Sequence, residues 1–233
     1  RDRSVSRGLG DVYKRQQLCR SLMQCMIENR GLFMENNIKE ESRLKFRFAE
    51  NDTVIKFDDT KFYRDYFNKL PEAKGVDFIS VANDKIAFIE VKNCTGDEGN
   101  NRWRITPDNR KRNTTHTSVD VEGRDSLDIE MAQKTAMTIA ALVGAKSFGN
   151  TKECLNELKE YIQFLSEDSF SNDSKKKYVI LFLEGDFGTR TRTKKMIMKE
   201  LQDSMNKKLR WINCRVSVVD SDTYDSRIFQ IVS

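Results

Sequence analysis

The sequence predicts a mixed α/β fold, with a central sheet of antiparallel and parallel strands flanked by helices. Three stretches carry that reading. Residues 75–92 form two apolar runs broken only by Asn83-Asp84, the pattern of a hairpin. Residues 126–143 place Ile129, Ala132, Ala136, Ile139, Ala140 and Val143 on one helical stripe, small enough to pack closely on a sheet. Residues 178–183 are continuously apolar, as expected of a central strand buried on both faces. Helices interleaved with strands over 233 residues suit a single domain with a sizeable core.

The other elements follow in chain order. Residues 17–36 predict a helix on Leu18, Leu22, Cys25 and Met26, with Gly31 interrupting it. Leu44, Phe46 and Phe48 alternate with Lys45 and Arg47, and an apolar run at 54–57 follows a polar turn, which predicts a second hairpin. Phe62, Tyr63, Tyr66, Phe67 and Leu70 predict a helix over 61–70 that Pro71 stops. Residues 94–125, rich in Gly, Asn, Thr and Arg, read as a long loop, a length that usually carries function. Asn150 with Glu153 predicts a capping box opening a helix on Leu155, Leu158, Ile162 and Leu165. A helix through Met196, Ile197, Leu201 and Met205 is expected after a basic loop at 185–193, then strands at 214–219 and 228–232.

Composition excludes several classes. No window approaches the roughly 18 consecutive apolar residues of a membrane span. The five cysteines are scattered without a C-x-x-C pair, which argues against a disulfide framework or a structural zinc site and for a reducing cytoplasm. Residues 1–16 resemble a translated sequencing-adapter remnant of the kind found at the ends of metagenomic gene fragments, and the domain is taken as 17–233. This leader carries five basic and two acidic residues; without it the net charge falls from +5 to +2. Any affinity for nucleic acid must therefore come from local clusters. His116, the only histidine, sits in a Thr-rich loop without a nucleophile motif, so His-based hydrolases and His-ligated metals are disfavoured. The short run Gly185-Asp186-Phe187-Gly188 lacks the Lys-Ser/Thr ending of a nucleotide-binding loop.

The chemistry concentrates on the first-named hairpin. If Asn83-Asp84 is a two-residue turn, strand partners have numbers that sum to 167, and Asp77 lies opposite Glu90 with Cβ atoms about 5 Å apart. Lys92 shares the face of Glu90, because side chains repeat every two residues. Two carboxylates so close repel, and a hard divalent cation reverses that penalty: Mg²⁺ or Mn²⁺, with the Val91 carbonyl and water completing the shell. Lys92 would orient water and offset charge developing on a phosphorus centre. The alternative is an ordinary surface ion pair on a half-solvated edge hairpin. Against it, Ile79, Val81, Ile86 and Phe88 share the parity of the charged trio, so neither face is polar throughout.

Asp77, followed after twelve residues by Glu90-Val91-Lys92, resembles the D...ExK signature of the PD-(D/E)xK nuclease superfamily, which has the restriction-endonuclease-like fold. The resemblance covers mainly 75–93, extended by the helix at 126–143 and the strand at 178–183. It implies Asp77 and Glu90 as metal ligands and Lys92 as the catalytic lysine. Two positions depart from the pattern: Val76 stands where the motif has Pro, and Met137 stands where RecB-like members have a Tyr four residues after Gln133. Gln133 and Lys134 remain candidates for phosphate contact, and Glu28 or Glu35 for an additional acid of the kind many members carry. Arg102, Arg104, Arg110, Lys111 and Arg112, with Trp103 among them, suit a loop that grips a nucleic-acid backbone. A second basic cluster, Arg190, Arg192, Lys194 and Lys195, precedes the helix through Met196. The expectation is a Mg²⁺-dependent nuclease acting on DNA, with a homodimer left open. From another class, a catalytically inactive domain of the same fold would bind nucleic acid or protein, its charged trio serving as an ion-pair cluster.

Overall fold

A computed structural model describes residues 37–110, 125–149, 151–166 and 170–232. The expected leader at 1–16, the helix at 17–36 with Glu28 and Glu35, and Lys111, Arg112 and His116 lie outside these residues. Lys39–Ser233 makes one compact unit.

The large sheet is built around the hairpin of β4 (Phe78–Ala82) and β5 (Lys85–Asn93). Its register pairs Phe78 with Ile89 and Ala82 with Lys85, as the two-residue turn predicts. Asn83 and Asp84 make that turn without positive φ, whereas the two-residue turn at Ser42-Arg43, between β1 (Ile38–Glu41) and β2 (Leu44–Phe48), has φ of 52° and 67°. On the outer side of β4 runs β3 (Thr53–Lys56), antiparallel to it. Beyond β5, β6 (Lys176–Glu184) and β7 (Arg215–Val219) are both parallel, giving the order β3-β4-β5-β6-β7. The hairpin is therefore interior to the sheet, with β5 at its centre, and the edge-hairpin alternative is overturned. As expected, the apolar run at 178–183 is buried between two parallel neighbours.

Each face of this sheet has its own core. One face packs helices: α3 (Leu127–Lys146), α4 (Lys159–Ser166) with the 3₁₀ segment Glu153–Leu158 before it, and α5 (Lys194–Lys208). The other face packs a small sheet of β1, β2 and β8 (Phe229–Val232). Phe46 sits at the centre of this second core, fully buried, with ring centroids 5.2–5.7 Å from Phe78, Phe182 and Phe229. Between the remaining elements lie α1 (Lys61–Asp65) with the 3₁₀ turn Phe67–Lys69, and the short α2 (Glu98–Asn101).

Four sequence expectations are corrected. The segments at 44–48 and 54–57 do not pair: β2 pairs with β8 in the small sheet and β3 with β4 in the large one. Phe46 and Phe48 point between the two sheets, and the turn at 49–52 carries the chain from one sheet to the other. The helix at 61–70 breaks after Asp65 into a 3₁₀ turn before Pro71. Asn150, the expected cap, lies outside the described residues, and the segment after it opens as a 3₁₀ turn at Glu153 in place of an α-helix. Finally, α3 centres its buried stripe on Leu127, Met131, Thr135, Thr138, Leu142 and Ala145; of the expected stripe Ile129 is buried, Ala132 and Ile139 are half-buried against the core, and Ala140 and Val143 are exposed. This helix is apolar nearly all round, so hydrophobic spacing alone does not select the face. Its partnered threonines do: the Thr135 hydroxyl donates to the Met131 carbonyl, and Thr138 accepts the Val76 N–H at 3.1 Å.

Replacing Phe46 by Ala removes the ring that joins both sheets and should cost about 3–5 kcal/mol in chemical denaturation. A loss below about 1 kcal/mol would show that the small sheet is not part of the cooperative unit.

Candidate functional site

Strand β5 delivers Glu90 and Lys92 to its helix-covered face, and the hairpin register brings Asp77 to the same place from the start of β4. Gly75 lets the chain enter there, since a Cβ at this position would lie 2.6 Å from the Phe57 ring. The Val76 N–H, which a proline in the same slot would lack, bonds to Thr138 and ties the entering chain to α3. Asp77 is then held at both ends: its carbonyl accepts the Phe57 N–H at 3.1 Å and its Oδ2 accepts the Val91 N–H at 2.7 Å. Asp77 is 8% exposed and Glu90 is 1% exposed.

Over these carboxylates α3 lays Glu130 and Lys134, one helical turn apart. The Lys134 Nζ lies 2.6 Å from Glu90 Oε1 and 3.8 Å from Asp77 Oδ1. The Lys92 Nζ lies 2.6 Å from the same Glu90 oxygen and 3.4 Å from Glu130 Oε1. Arg104, reaching up from the loop after β5, binds Glu130 Oε2 at 2.5 Å and Asn101 at 3.2 Å. Three carboxylates thus meet three cations beneath α3, and their formal charges cancel. The second oxygen of Glu90, Oε2, is buried and has no hydrogen-bond partner.

These contacts set the titration of each group. Burial, and next the charge of Glu90, push the Asp77 carboxyl up to about 7 against the pull of Lys134, Lys92 and the Val91 N–H. For Glu130, burial acts in the same upward direction, but Lys92, Arg104 and Lys134 outweigh it and take the carboxyl down to about 2. Burial alone would favour neutral Lys92; Glu90, Glu130 and Asp77 instead hold its ammonium well above the ordinary range. Lys92 therefore keeps its proton at any physiological pH, which makes it a donor and a fixed charge, not a base. Nearby Cys94 is buried and its thiol is pushed upward, chiefly by burial, so it is no ready nucleophile.

The donor set suits a hard divalent ion. Glu90 Oε2 is unpartnered, and Asp77 Oδ1 faces the Lys134 ammonium at 3.8 Å. Both are carboxylate oxygens of the kind Mg²⁺ takes with a shell of water. Among the described residues no group of three or more His, Cys, Asp or Glu is placed to hold a metal ion, so Asp77 and Glu90 would supply two side-chain ligands and no more. Val91 contributes its N–H to Asp77; its carbonyl is the ligand that the sequence proposes.

Not every predicted residue joins the cluster. Arg102 and Arg110 are exposed on the loop after β5, as a backbone grip requires, but Arg104 is buried against Glu130. Gln133 points outward and accepts a bond from Lys74 at 3.0 Å. Of the second basic cluster, Arg192 pairs with Glu200, while Lys194 pairs with Glu184 and Asp220. Sequence reasoning missed Glu130. Its signal was available: Leu127, Glu130, Met131, Lys134 and Thr138 lie on one side of a helix, so an acid and a base interrupt a buried stripe.

Fold and site together define a mixed α/β protein with a buried, charge-balanced acid–base cluster at the carboxyl end of its central strand. Residues 60–233, which include every member of that cluster, match a family described as a family of unknown function (DUF6661), and the chain belongs to this family. No curated protein and no solved structure matches the chain.

The raised Asp77 carboxyl gives stability a definite pH dependence in metal-free buffer. An ordinary aspartate titrates near 3.8 and this one at about 7. Between those values the native state binds a proton that the unfolded state has lost. This group's contribution therefore falls as pH rises through that window, by up to about 1.4 kcal/mol per pH unit, and levels off above it. Glu130 acts with the opposite sign and at lower pH: its stabilisation is present above about 4.5 and fades as pH drops toward 2. Denaturant titrations with EDTA from pH 4.5 to 8 should show Asp77→Asn gaining on wild type up to about pH 7 and holding level beyond. A difference that does not change with pH would refute this titration.

Proposed function

We propose that the chain is a metal-dependent nuclease of restriction-endonuclease-like fold that hydrolyses phosphodiester bonds, with DNA as its substrate and Mg²⁺ or Mn²⁺ as its cofactor. One observation carries the reading. The β4–β5 register, continued one residue before Phe78, sets Asp77 across from Glu90, with Lys92 two residues on in the central strand, and α3 covers all three. Supporting it, the β5–α3–β6 crossover joins parallel strands, so antiparallel and parallel halves of the sheet meet at the strand that bears the site.

In this reading Asp77 and Glu90 hold the ion, which when bound supplies an activated water and positive charge at the phosphate. Lys92, always protonated, donates from Nζ to the phosphate oxygens or to the attacking water and stabilises the charge that grows on them. Glu130 limits the freedom of Lys92 and is itself fixed by Arg104. The exposed Arg102 and Arg110, with Lys111 and Arg112 beyond them in sequence, would hold the nucleic-acid backbone beside the site. A homodimer would present two such sites, one for each strand of a duplex.

A second reading is favoured by a different observation: Lys134 already neutralises the carboxylates, and the cluster balances its charges without an ion. On that account the domain is catalytically inactive and binds nucleic acid or protein.

Supercoiled plasmid incubated with the purified chain and Mg²⁺ or Mn²⁺ decides between them. The nuclease reading expects nicking or linearisation that falls about 10²-fold or more in Asp77→Ala and Lys92→Ala. Equal cleavage by wild type and both variants would mean that the activity resides elsewhere, or in a contaminant. If no cleavage occurs on DNA or RNA with either ion, the second reading stands.

A further inference from the structure

Lys134 occupies the place where a metal's charge is needed. Its ammonium touches Glu90 Oε1 at 2.6 Å and stands 3.8 Å from Asp77 Oδ1, so of the three cations it is the one that forms ion pairs within 4 Å to both proposed ligands. Lys92 is committed differently, to Glu90 and Glu130, and Arg104 binds Glu130. The Lys134 side chain is 15% exposed and flexible along its four-carbon stem, whereas its contact with Glu130, on the same helix, is a long 4.0 Å.

The charge count gives this placement a consequence. With all three carboxylates ionised the three cations leave the cluster formally neutral, and an added divalent ion would leave an excess of two positive charges in a largely dehydrated space. That excess is costly unless a cation leaves or an anion arrives. A phosphodiester halves that excess: it brings one negative charge, and it offers the displaced ammonium a new partner.

Resting on the metal-dependent reading above, we propose that Lys134 is a resident counter-ion which a divalent ion must displace. Ion and phosphate then occupy the site as a cooperative pair, with the ammonium of Lys134 passing from the carboxylates to the phosphate. The free protein would accordingly hold the ion weakly, and loading would follow the arrival of a phosphate-bearing substrate. Coupling of this kind is reciprocal, so the ion strengthens phosphate binding by the same factor.

Mn²⁺ binding, followed by the electron paramagnetic resonance signal of free Mn²⁺, tests this without any turnover. Dimethyl phosphate serves as a monoanionic diester probe. For wild type, saturating dimethyl phosphate should tighten Mn²⁺ binding about five- to tenfold. Lys134→Met and Lys134→Gln should bind Mn²⁺ about tenfold tighter than wild type without the probe, and respond to it less than about twofold. The wild-type measurement needs no variant, and two substitutions guard against one that fails to fold. Equal Mn²⁺ affinity in all three proteins, or an equal response to the probe, overturns the displacement while leaving the metal site intact. No Mn²⁺ binding by any of them removes the metal-dependent reading itself, and this proposal with it.

Discussion

The Glu90 carboxylate, almost wholly shielded from water on the central strand, is the constraint around which this end of the molecule is organised. A buried carboxylate without compensation would cost several kcal/mol, more than a domain of this size can spare from its marginal stability. Two ammonium groups therefore converge on one of its oxygens. Two cations need further anions, which Asp77 and Glu130 provide, and Glu130 in turn requires Arg104. Each residue of the cluster is explained by the one before it, and the chain of compensation ends where Arg104 meets the loop leaving β5. What remains uncompensated is Glu90 Oε2. A structure that only needed to neutralise this acid would have little reason to leave it an idle, dehydrated oxygen.

The two cores of the large sheet make that arrangement rigid. On the face away from the helices, interlocking phenylalanines from β2, β4, β6 and β8 fix the sheet from behind. In front, α3 is fastened at its first turn as well as over the site. The Leu127 N–H bonds to the Arg104 carbonyl, and the fully buried Asp128 accepts from Ser126, Ser204 and Lys208. Burial pushes the Asp128 carboxyl upward, but the bonds from Lys208, Ser126 and Ser204 outweigh it and hold the group below its ordinary value. Thus α5, the start of α3 and the loop carrying Arg104 are joined by one buried acid. The position of Glu130, half a turn along, inherits that precision.

Much of this was legible from the sequence, and the legible parts share a cause. The β4–β5 register followed from a strict period of two and a two-residue turn, both local properties, so the facing of Asp77 and Glu90 could be derived before any coordinates. The burial of β6 likewise needed only an unbroken apolar run. Failures came where partners lie far apart in the chain. The alternation at 44–48 marks a strand correctly, yet its partner is β8, nearly two hundred residues away, and the neighbouring β3 was a false candidate made attractive by proximity alone. The face of α3 failed for another reason. A helix apolar on most sides offers several equivalent stripes, and the deciding contacts are single hydrogen bonds to Thr138 and ion pairs to Glu130 and Lys134, which hydropathy does not register.

Those same residues point to where function enters the sequence. Local rules place lysine and glutamate on the solvent side of a helix, and α3 violates them at two positions one turn apart, facing a strand that violates them at Glu90 and Lys92. Either violation alone reads as an error in the pattern; together they answer one another in sign and spacing. An ion-pair cluster retained only for stability is a weak explanation, since well-packed apolar residues in the same places are often as good or better. The cluster also stands where antiparallel pairing gives way to parallel pairing, at the carboxyl end of β5, and beside a loop that exposes Arg102 and Arg110 to solvent. Four departures from an economical core, gathered at one end of the central strand and leaving one acid oxygen without a partner, are what supports the proposal of a cationic ligand with a phosphate-bearing companion.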